Sequence, residues 1–486
     1  MEFEFKNVGS FNPKKGKHSN RKPMLKRIRP EKENRIPNPA GAAVRIADAA
    51  YPAPFASELE FNAPVHESWN IVHIGMQIPQ AHQIYVCADN CMRGVVLTAA
   101  EMNAIDRFSS VVLEEKDLYE GNLEDITIEG ISDCIRKLPA RPPVVLVFLV
   151  CLHHFVGTDT GRVYRELEAR FPDIQFIRAW MDPIMQKTGL TPDQKLRKAV
   201  LDPFYKGEDP ESRNVSLLCD NFPLEASSDL YQLITGNGYQ LLQVQDCKTY
   251  QEFLDLQDSC LVLTRSFMAE HGVRRMVQRL KRRYLYLPPA MSYEEITEEL
   301  ACVCRSLGME MPDVSGRTAA CEEALARALD VIGSTPISID NMGVPRPLGL
   351  ARLLISHGFH VTCVYLDAVN EEEREDFLWL RQHQPDLVLA ATMQVKMRFL
   401  HGENRPDLLM GAPGGKHLEL LKPLAIGPKA AWFADTTHFV NLVEMNGMWG
   451  FDAIIRLADM MIDAYLHEKD TRDIVPRKGF GCGSCI

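Results

Sequence analysis

The chain has 486 residues, of which 46% are hydrophobic and 24% charged, with a formal net charge of −11. That length exceeds one ordinary core and predicts about two to four domains, while the composition is that of a soluble globular protein. No apolar run reaches the roughly 18–20 residues of a membrane span, no signal-peptide stretch opens the chain, and the acidic balance argues against a general nucleic-acid binder. A cytoplasmic protein with neither membrane nor nucleic acid as partner is expected. Thirteen cysteines, an odd number scattered over a long chain, argue against a disulfide framework and fit a reducing compartment.

Residues 1–60 are rich in Pro, Lys and Asn with little periodicity, and read as an extended arm. Between Lys14 and Arg35 ten basic residues face only Glu31 and Glu33. That charge suits an arm wrapping a neighbouring subunit, or simply a solvated extension. A first α/β domain is predicted over 61–210, opening near Asn70–Gly75. Within it the pattern predicts a helix over Thr98–Phe108 and a buried parallel strand over Val144–Cys151. A helix over Gly161–Phe171 and a strand over Asp173–Trp180 follow.

A second domain is predicted over 211–330. Its strands are Asn214–Cys219, Tyr239–Val244 and Ser259–Thr264. Its helices are Ser227–Thr235, stopped at Gly236-Asn-Gly238, a basic helix through Arg283, and the stretch Tyr293–Leu329. A third domain over 331–445 has strands at Pro336–Asp340, Gly358–Tyr365, Asp386–Ala390 and Ala430–Phe433, with a helix over Gly349–Ser356. Residues 446–486 form an amphipathic helix, Gly450–His467, and a cysteine-containing tail. Successive strand–helix units give an α/β fold of three Rossmann-like, doubly wound parallel-sheet domains behind an N-terminal extension.

The chemistry centres on Cys87, Cys91 and Cys151. The first two are expected in a short loop before a helix, flanking Asp89 and Asn90, and the third at the end of the apolar strand. Free cysteine also packs as a small hydrophobe, but apolar packing does not explain the polar setting of this pair. Three soft thiolates at the carboxyl ends of strands suit iron–sulfur chemistry or zinc. Cys482 and Cys485 form a glycine-flanked C-x2-C pair. It suits a metal clamp shared with a partner tail, a redox dithiol, or a loose chain end with two exposed thiols. The Gly411–Lys416 loop is not a Walker loop: its glycines are too close together, and His417 follows the lysine.

The order of these residues resembles the nitrogenase component 1 superfamily. That group includes nitrogenase catalytic subunits, their cofactor-assembly scaffolds and tetrapyrrole-reducing relatives. The resemblance is carried by Cys91 and its helix, Asp106–Ser110, Glu114–Gly121, Cys151 with Val156–Asp159, and Met448–Asp452. It covers about residues 70 to 465. It implies an iron–sulfur cluster, [4Fe–4S] or a larger fused form, at a subunit interface. Cys91 and Cys151 are the leading ligands, and Cys87 is the third.

The sequence also departs from the family pattern. Gly75-Met76 stands where the family has its earliest cluster cysteine. Leu263–Ser266 has no cysteine where nitrogenase anchors its active-site metallocofactor, and Cys260 reads as core. Thr264 and His438 are the candidate cavity residues, and neither the nitrogenase cofactor nor dinitrogen reduction is predicted.

The resemblance further implies a homodimer, or a heterotetramer with a paralogous subunit. It implies electrons from a separate homodimeric ATP-dependent iron–sulfur reductase. Arg93, Glu101 and Arg107, with a polar loop at His153 and His154, are the expected docking features. The expected function is a nitrogenase-like reductase component acting on a bound substrate. The alternatives are a non-catalytic scaffold for metallocluster assembly, which would use the same cysteines, and a sugar- or nucleotide-binding Rossmann protein, against which the weakness of every phosphate loop argues.

Overall fold

The computed structural model describes residues 42–55, 71–182, 189–392, 424–427, 429–430, 436 and 438–467. The basic arm between Lys14 and Arg35, the Gly411–Lys416 loop and the Cys482/Cys485 tail lie outside the described residues. Strand β1 (Ala43–Arg45) falls within the segment expected to be an extension, yet it pairs antiparallel with a strand of the third sheet. Periodicity could not show it, because three residues are too few to display an alternation.

The first sheet has β2 (Ala81–Cys87), β3 (Phe108–Val112), β4 (Val144–Val150) and β5 (Gln175–Met181) in the order β3-β2-β4-β5, all parallel. β4 reads Val-Val-Leu-Val-Phe-Leu-Val and is buried at every position, as a strand covered on both faces must be. Tyr85 of β2 lies in register with Phe148 of β4. Their rings stack at 4.2 Å, with Phe108 stacking on Tyr85 at 5.0 Å, and each such aromatic pair adds about 0.5–1.5 kcal/mol beyond its buried area. Gln83 is buried in the same strand but satisfied, donating to the Val72 carbonyl and accepting from the Tyr85 hydroxyl.

The second sheet has β6 (Asn214–Leu217), β7 (Gln240–Gln243), β8 (Leu261–Thr264) and β9 (Tyr284–Tyr286) in the order β7-β6-β8-β9, again parallel. The third has β10 (Ile337–Asp340), β11 (Val361–Tyr365), β12 (Val388–Ala390), β13 (Leu424–Ile426) and β14 (Phe439–Val440). With β1 they run β1-β12-β11-β10-β13-β14, parallel apart from β1. In each sheet the chain lays strands outward on one side and then returns to the other. The reversals fall between β2 and β4, between β6 and β8, and between β10 and β13. Such switch points leave a crevice outside the carboxyl ends of the strands.

Several expected boundaries move. The helix after the cysteine pair spans Asp89–Glu101 rather than Thr98–Phe108, and Phe108 already begins β3. The stretch read as one helix from Tyr293 to Leu329 is two, Tyr293–Leu307 and Ser315–Ile332. Gly308 ends the first in the left-handed conformation (φ 66°), and Pro312 follows, a stop signal written in the sequence. Ala430, expected in a strand, lies in a helical turn. The helix Gly450–Leu466 buries Phe451, Ile454, Leu457, Ala458 and Met461 in the core that joins the second and third sheets.

Candidate functional site

Cys87 is the last residue of β2, not part of a loop. Cys91 is the third residue of the helix Asp89–Glu101, its N–H donating to the Ala88 carbonyl at 3.0 Å. Cys151 opens the short helix Cys151–Phe155 directly after β4. Because β2 and β4 are neighbours in register, with Val86 opposite Leu149, all three cysteines stand at the switch-point crevice of the first sheet. The sequence mistook the pair for a loop because Asp89 and Asn90 are equally at home in a helix's first turn, where acidic groups meet the positive end of the helix dipole.

Exposure grades across the three. Cys87 is fully buried, Cys151 half-buried and Cys91 exposed. Burial pushes the Cys87 thiol up to about 12, with the charges of Cys91 and Asp89 adding to the effect. Cys91 is raised by burial and then by the charge of Cys151. Each thiol in the chain Cys87–Cys91–Cys151 is therefore close enough to resist the ionisation of its neighbour. Thiolates crowded in this way gain from a metal cation, which replaces their repulsion with bonds. Among the described residues, no group of three or more His, Cys, Asp or Glu side chains is arranged to hold a metal ion. Thiolates are the donor type an iron–sulfur group takes, but within this one chain they are not arranged to hold a metal by themselves. Leu97, Val112, Phe155 and Val156, on the elements that carry or adjoin the cysteines, are large apolar side chains left exposed.

The expected polar loop at His153 and His154 is instead helix. His153 is 1% exposed, accepts at Nδ1 from the Val150 N–H and lies 3.3 Å from the Thr127 hydroxyl. Burial pushes it down to about 4, so it is a neutral core residue. His154 stacks on Trp180 at 4.0 Å. Its Nε2 is 3.0 Å from Asp182, which also receives Lys195 at 2.6 Å. Arg107 is not a surface charge: it donates to the carbonyls of Ala81, Met76 and Ile78 at 2.9, 3.2 and 2.6 Å. Arg93 is exposed.

A separate cavity of about 370 Å³ opens at the carboxyl ends of β6, β8, β10 and β11, where the second and third sheets face each other. Asp220, Asn221, Arg265, Asn341, Asp367, Glu373 and Glu444 line it, with Phe222, Phe267 and three prolines supplying apolar wall. Thr264 stands one residue behind that wall, its hydroxyl donating to the Leu218 carbonyl at 2.9 Å. His438 is buried, with Nδ1 3.1 Å from the Ala464 carbonyl. Neither is among the residues lining the cavity. Cys260 is core, its thiol 3.3 Å from the Asn214 carbonyl.

Behind the cavity wall, and reaching it at Asn221 and Glu444, runs a buried polar network that sequence reasoning missed. Arg197 is 1% exposed and donates to Asp193, to the Cys219 carbonyl and, at 2.8 Å, to Asn221 Oδ1. Asn221 in turn donates to Glu444 at 2.6 Å. Glu444 begins a turn in which Glu444, Met445 and Asn446 all hold positive φ (48°, 60° and 46°). Non-glycine residues in that region cost roughly 1–2 kcal/mol each. The turn is held by Glu444 and Met445 N–H bonds to the carbonyls of Met342 and Gly343, at 2.7 and 2.9 Å. It closes on Gly447, where a Cβ would come within 1.9 Å of the Pro223 carbonyl oxygen. The spacing of Asp193 and Arg197, four apart after a Thr-Pro helix start, was the only sequence sign of this network.

The sequence matches the family model described as nitrogenase component 1 type oxidoreductase over residues 72–465, most of the chain. No curated protein matches it significantly. Among solved structures, nitrogenase Cp1 at pH 6.5 superposes with a TM-score of 0.60 at 12% identity, covering 87% of this chain and 95% of that one. The same protein at pH 5 gives 0.56 at 12% identity, covering 90% and 96%. These likenesses establish the three-sheet α/β fold, and among the described residues no helix is long and apolar enough to cross a membrane. The family match does more: the chain belongs to the nitrogenase component 1 type oxidoreductases.

Proposed function

We propose that this chain is the substrate-reducing component of a nitrogenase-like two-component system. It would receive electrons at Cys87, Cys91 and Cys151 from a homodimeric ATP-dependent iron–sulfur reductase, and reduce a molecule bound in the cavity between the second and third sheets. The single observation behind this reading is the gathering of three thiols at the first sheet's switch point, at the ends of β2 and β4 and in the helix after β2, graded from buried to exposed. An iron–sulfur cluster at that place would supply storage and transfer of low-potential electrons.

The residues of the chain do the rest. Cys87, at the end of β2, and Cys151, directly after the neighbouring β4, would be this chain's more buried ligands. Cys91 faces outward, so that a second copy or a paralogous chain completes the ligand set. The exposed apolar side chains Leu97, Val112, Phe155 and Val156 would be covered in that assembly, a homodimer or heterotetramer. Exposed Arg93, near the start of the cysteine-bearing helix, is a rim charge for reductase encounter. A non-catalytic scaffold for metallocluster assembly would use the same thiols, but has no need of a formed cavity lined by carboxyl and amide groups. Cys482 and Cys485 remain candidates for a further clamp.

Anaerobic reconstitution tests the reading. Wild-type protein should bind iron and sulfide and oligomerise, and Cys91→Ala or Cys151→Ala should each lose most of the iron while keeping the fold. Full iron in both variants, or none in the wild type, would refute the site. Reduction of the reconstituted protein by the partner without MgATP would refute the division of labour.

A further inference from the structure

We propose that Glu373 is the proton-donating acid of the cavity, giving a reduced substrate the proton that must accompany its electrons. The inference rests on the cavity being the site of reduction, as proposed above, and adds the group that completes the chemistry. A molecule that gains two electrons from a low-potential iron–sulfur reductase also takes up two protons. In the step assigned here the Glu373 O–H bond breaks as a new bond to hydrogen forms on the substrate; the carboxylate left behind is reprotonated from solvent and gives the second proton in the same way.

The placement of Glu373 sets it apart from the other carboxyls in that wall. It follows β11 on the short turn Glu371–Glu373, is 1% exposed to solvent and lines the cavity. Asp220 is paired with Arg265 at 3.2 Å, Glu444 accepts from the Asn221 amide, and Asp367 accepts from Thr392. Glu373 instead accepts from backbone: the Leu348 N–H at 2.7 Å and the Gly349 N–H, in the first turn of the helix Pro347–Ser356. The two backbone donors fix the carboxyl in place and by themselves favour its ionised form, as does the charge of Arg346, but burial is the larger influence and opposes it.

The charges around it come from each packed element. Arg346 precedes that helix and Asp376 lies on the next one; they pull in opposite directions and are bonded to each other at 3.0 Å. Glu295, from the helix Tyr293–Leu307, shares Arg346 at 3.0 Å. Across the cavity stand Asp220 with Arg265, Asp367 and Glu444. Burial dominates this balance and pushes Glu373 up to about 8, so at neutral pH it holds its proton, as a general acid must.

A purely structural Glu373 would be a sealed cap for the helix, and labelling separates the two roles without iron or substrate. A small hydrophobic carbodiimide, diisopropylcarbodiimide, adds to a protonated carboxyl and leaves an N-acylurea, with no atom lost from either reactant. In folded protein, Glu373 should be labelled near pH 7, and the labelling should fall about tenfold by pH 9 as the acid ionises through its raised pKa. Glu299 is an internal control: its carboxyl is also held well above the usual range by burial, but it does not line the cavity and should stay unmodified. Glu373→Gln keeps an acceptor for the Leu348 N–H, so it should melt like the wild type and show no label at that peptide. Labelling of Glu373 only after denaturation, or equal to that of Glu299, or indifferent to pH between 7 and 9, would overturn the assignment. Because none of this requires iron, a failure here is distinct from a failure of the thiol site to bind it.

Discussion

Replacing Arg197 with Met should be among the most damaging single changes in the chain, and its cost should depend on pH in a defined direction. The side chain is 1% exposed, as is Asp193. The variant removes Asp193's ion-pair partner, strips a donor from the Cys219 carbonyl, and frees the Asn221 amide that positions Glu444. Breaking a buried pair by deleting one partner costs about 3–5 kcal/mol, most of it from the charge left behind.

Asp193 is already raised above the usual carboxylate value by burial, with Arg197 pulling it back. Without the arginine it rises further. An acid whose pKa is raised on folding costs no stability while both states are protonated, and costs progressively more as pH climbs above the unfolded value of about 3.9. The destabilisation of Arg197→Met should therefore be larger at pH 8 than at pH 5. Adding Asp193→Asn, which removes the stranded charge, should recover a large part of it. Urea denaturation of the four proteins in this cycle, at both pH values, measures the coupling directly. A cost below about 1 kcal/mol, a cost that shrinks as pH rises, or no recovery in the double variant would refute the argument.

Two further outcomes follow from the same geometry. Arg93→Glu should slow reduction by the ATPase partner, with strong salt dependence and unchanged iron content, whereas Arg107→Glu should unfold the first domain by leaving three carbonyls without their donor; equal effects of the two on electron transfer in folded protein would reject the distinction. His153 is pushed down to about 4 by burial, so the unfolded chain protonates it first and stability falls as pH drops from about 6.5 toward 4; the stability gap between wild type and His153→Gln should narrow from pH 7 to pH 5 in urea melts, and a gap independent of pH would show that His153 does not titrate this way.

Strand and helix identities were legible where one feature dominated the pattern. The run of β4 has seven apolar residues and could be little other than a buried parallel strand. The helix Gly450–Leu466 carries its apolar stripe through four turns. Cys151 was found because a thiol following such a strand is conspicuous.

What the sequence concealed depends on contacts between distant segments. Arg107 looks like any surface arginine until Met76, Ile78 and Ala81 turn their carbonyls toward it. Glu373 looks like the last of three solvated glutamates, because only the packing of the helix Pro347–Ser356 buries it. The cavity was sought one residue away from its wall, at Thr264, whose side chain serves the sheet while Arg265 faces the space.

The antiparallel strand β1 has a practical meaning for anyone shortening this protein. Its three residues cover the outer edge of β12, and Ile46, Tyr51 and Phe55 behind it are packed into the main core. Tyr51 is also tied to Glu371 at 2.6 Å. A bare parallel edge offers its free N–H and C=O groups to any passing chain. Deletions that stop before Ala42 leave that hem stitched, while those that run through Phe55 would turn a self-contained sheet into a template for fibrous association.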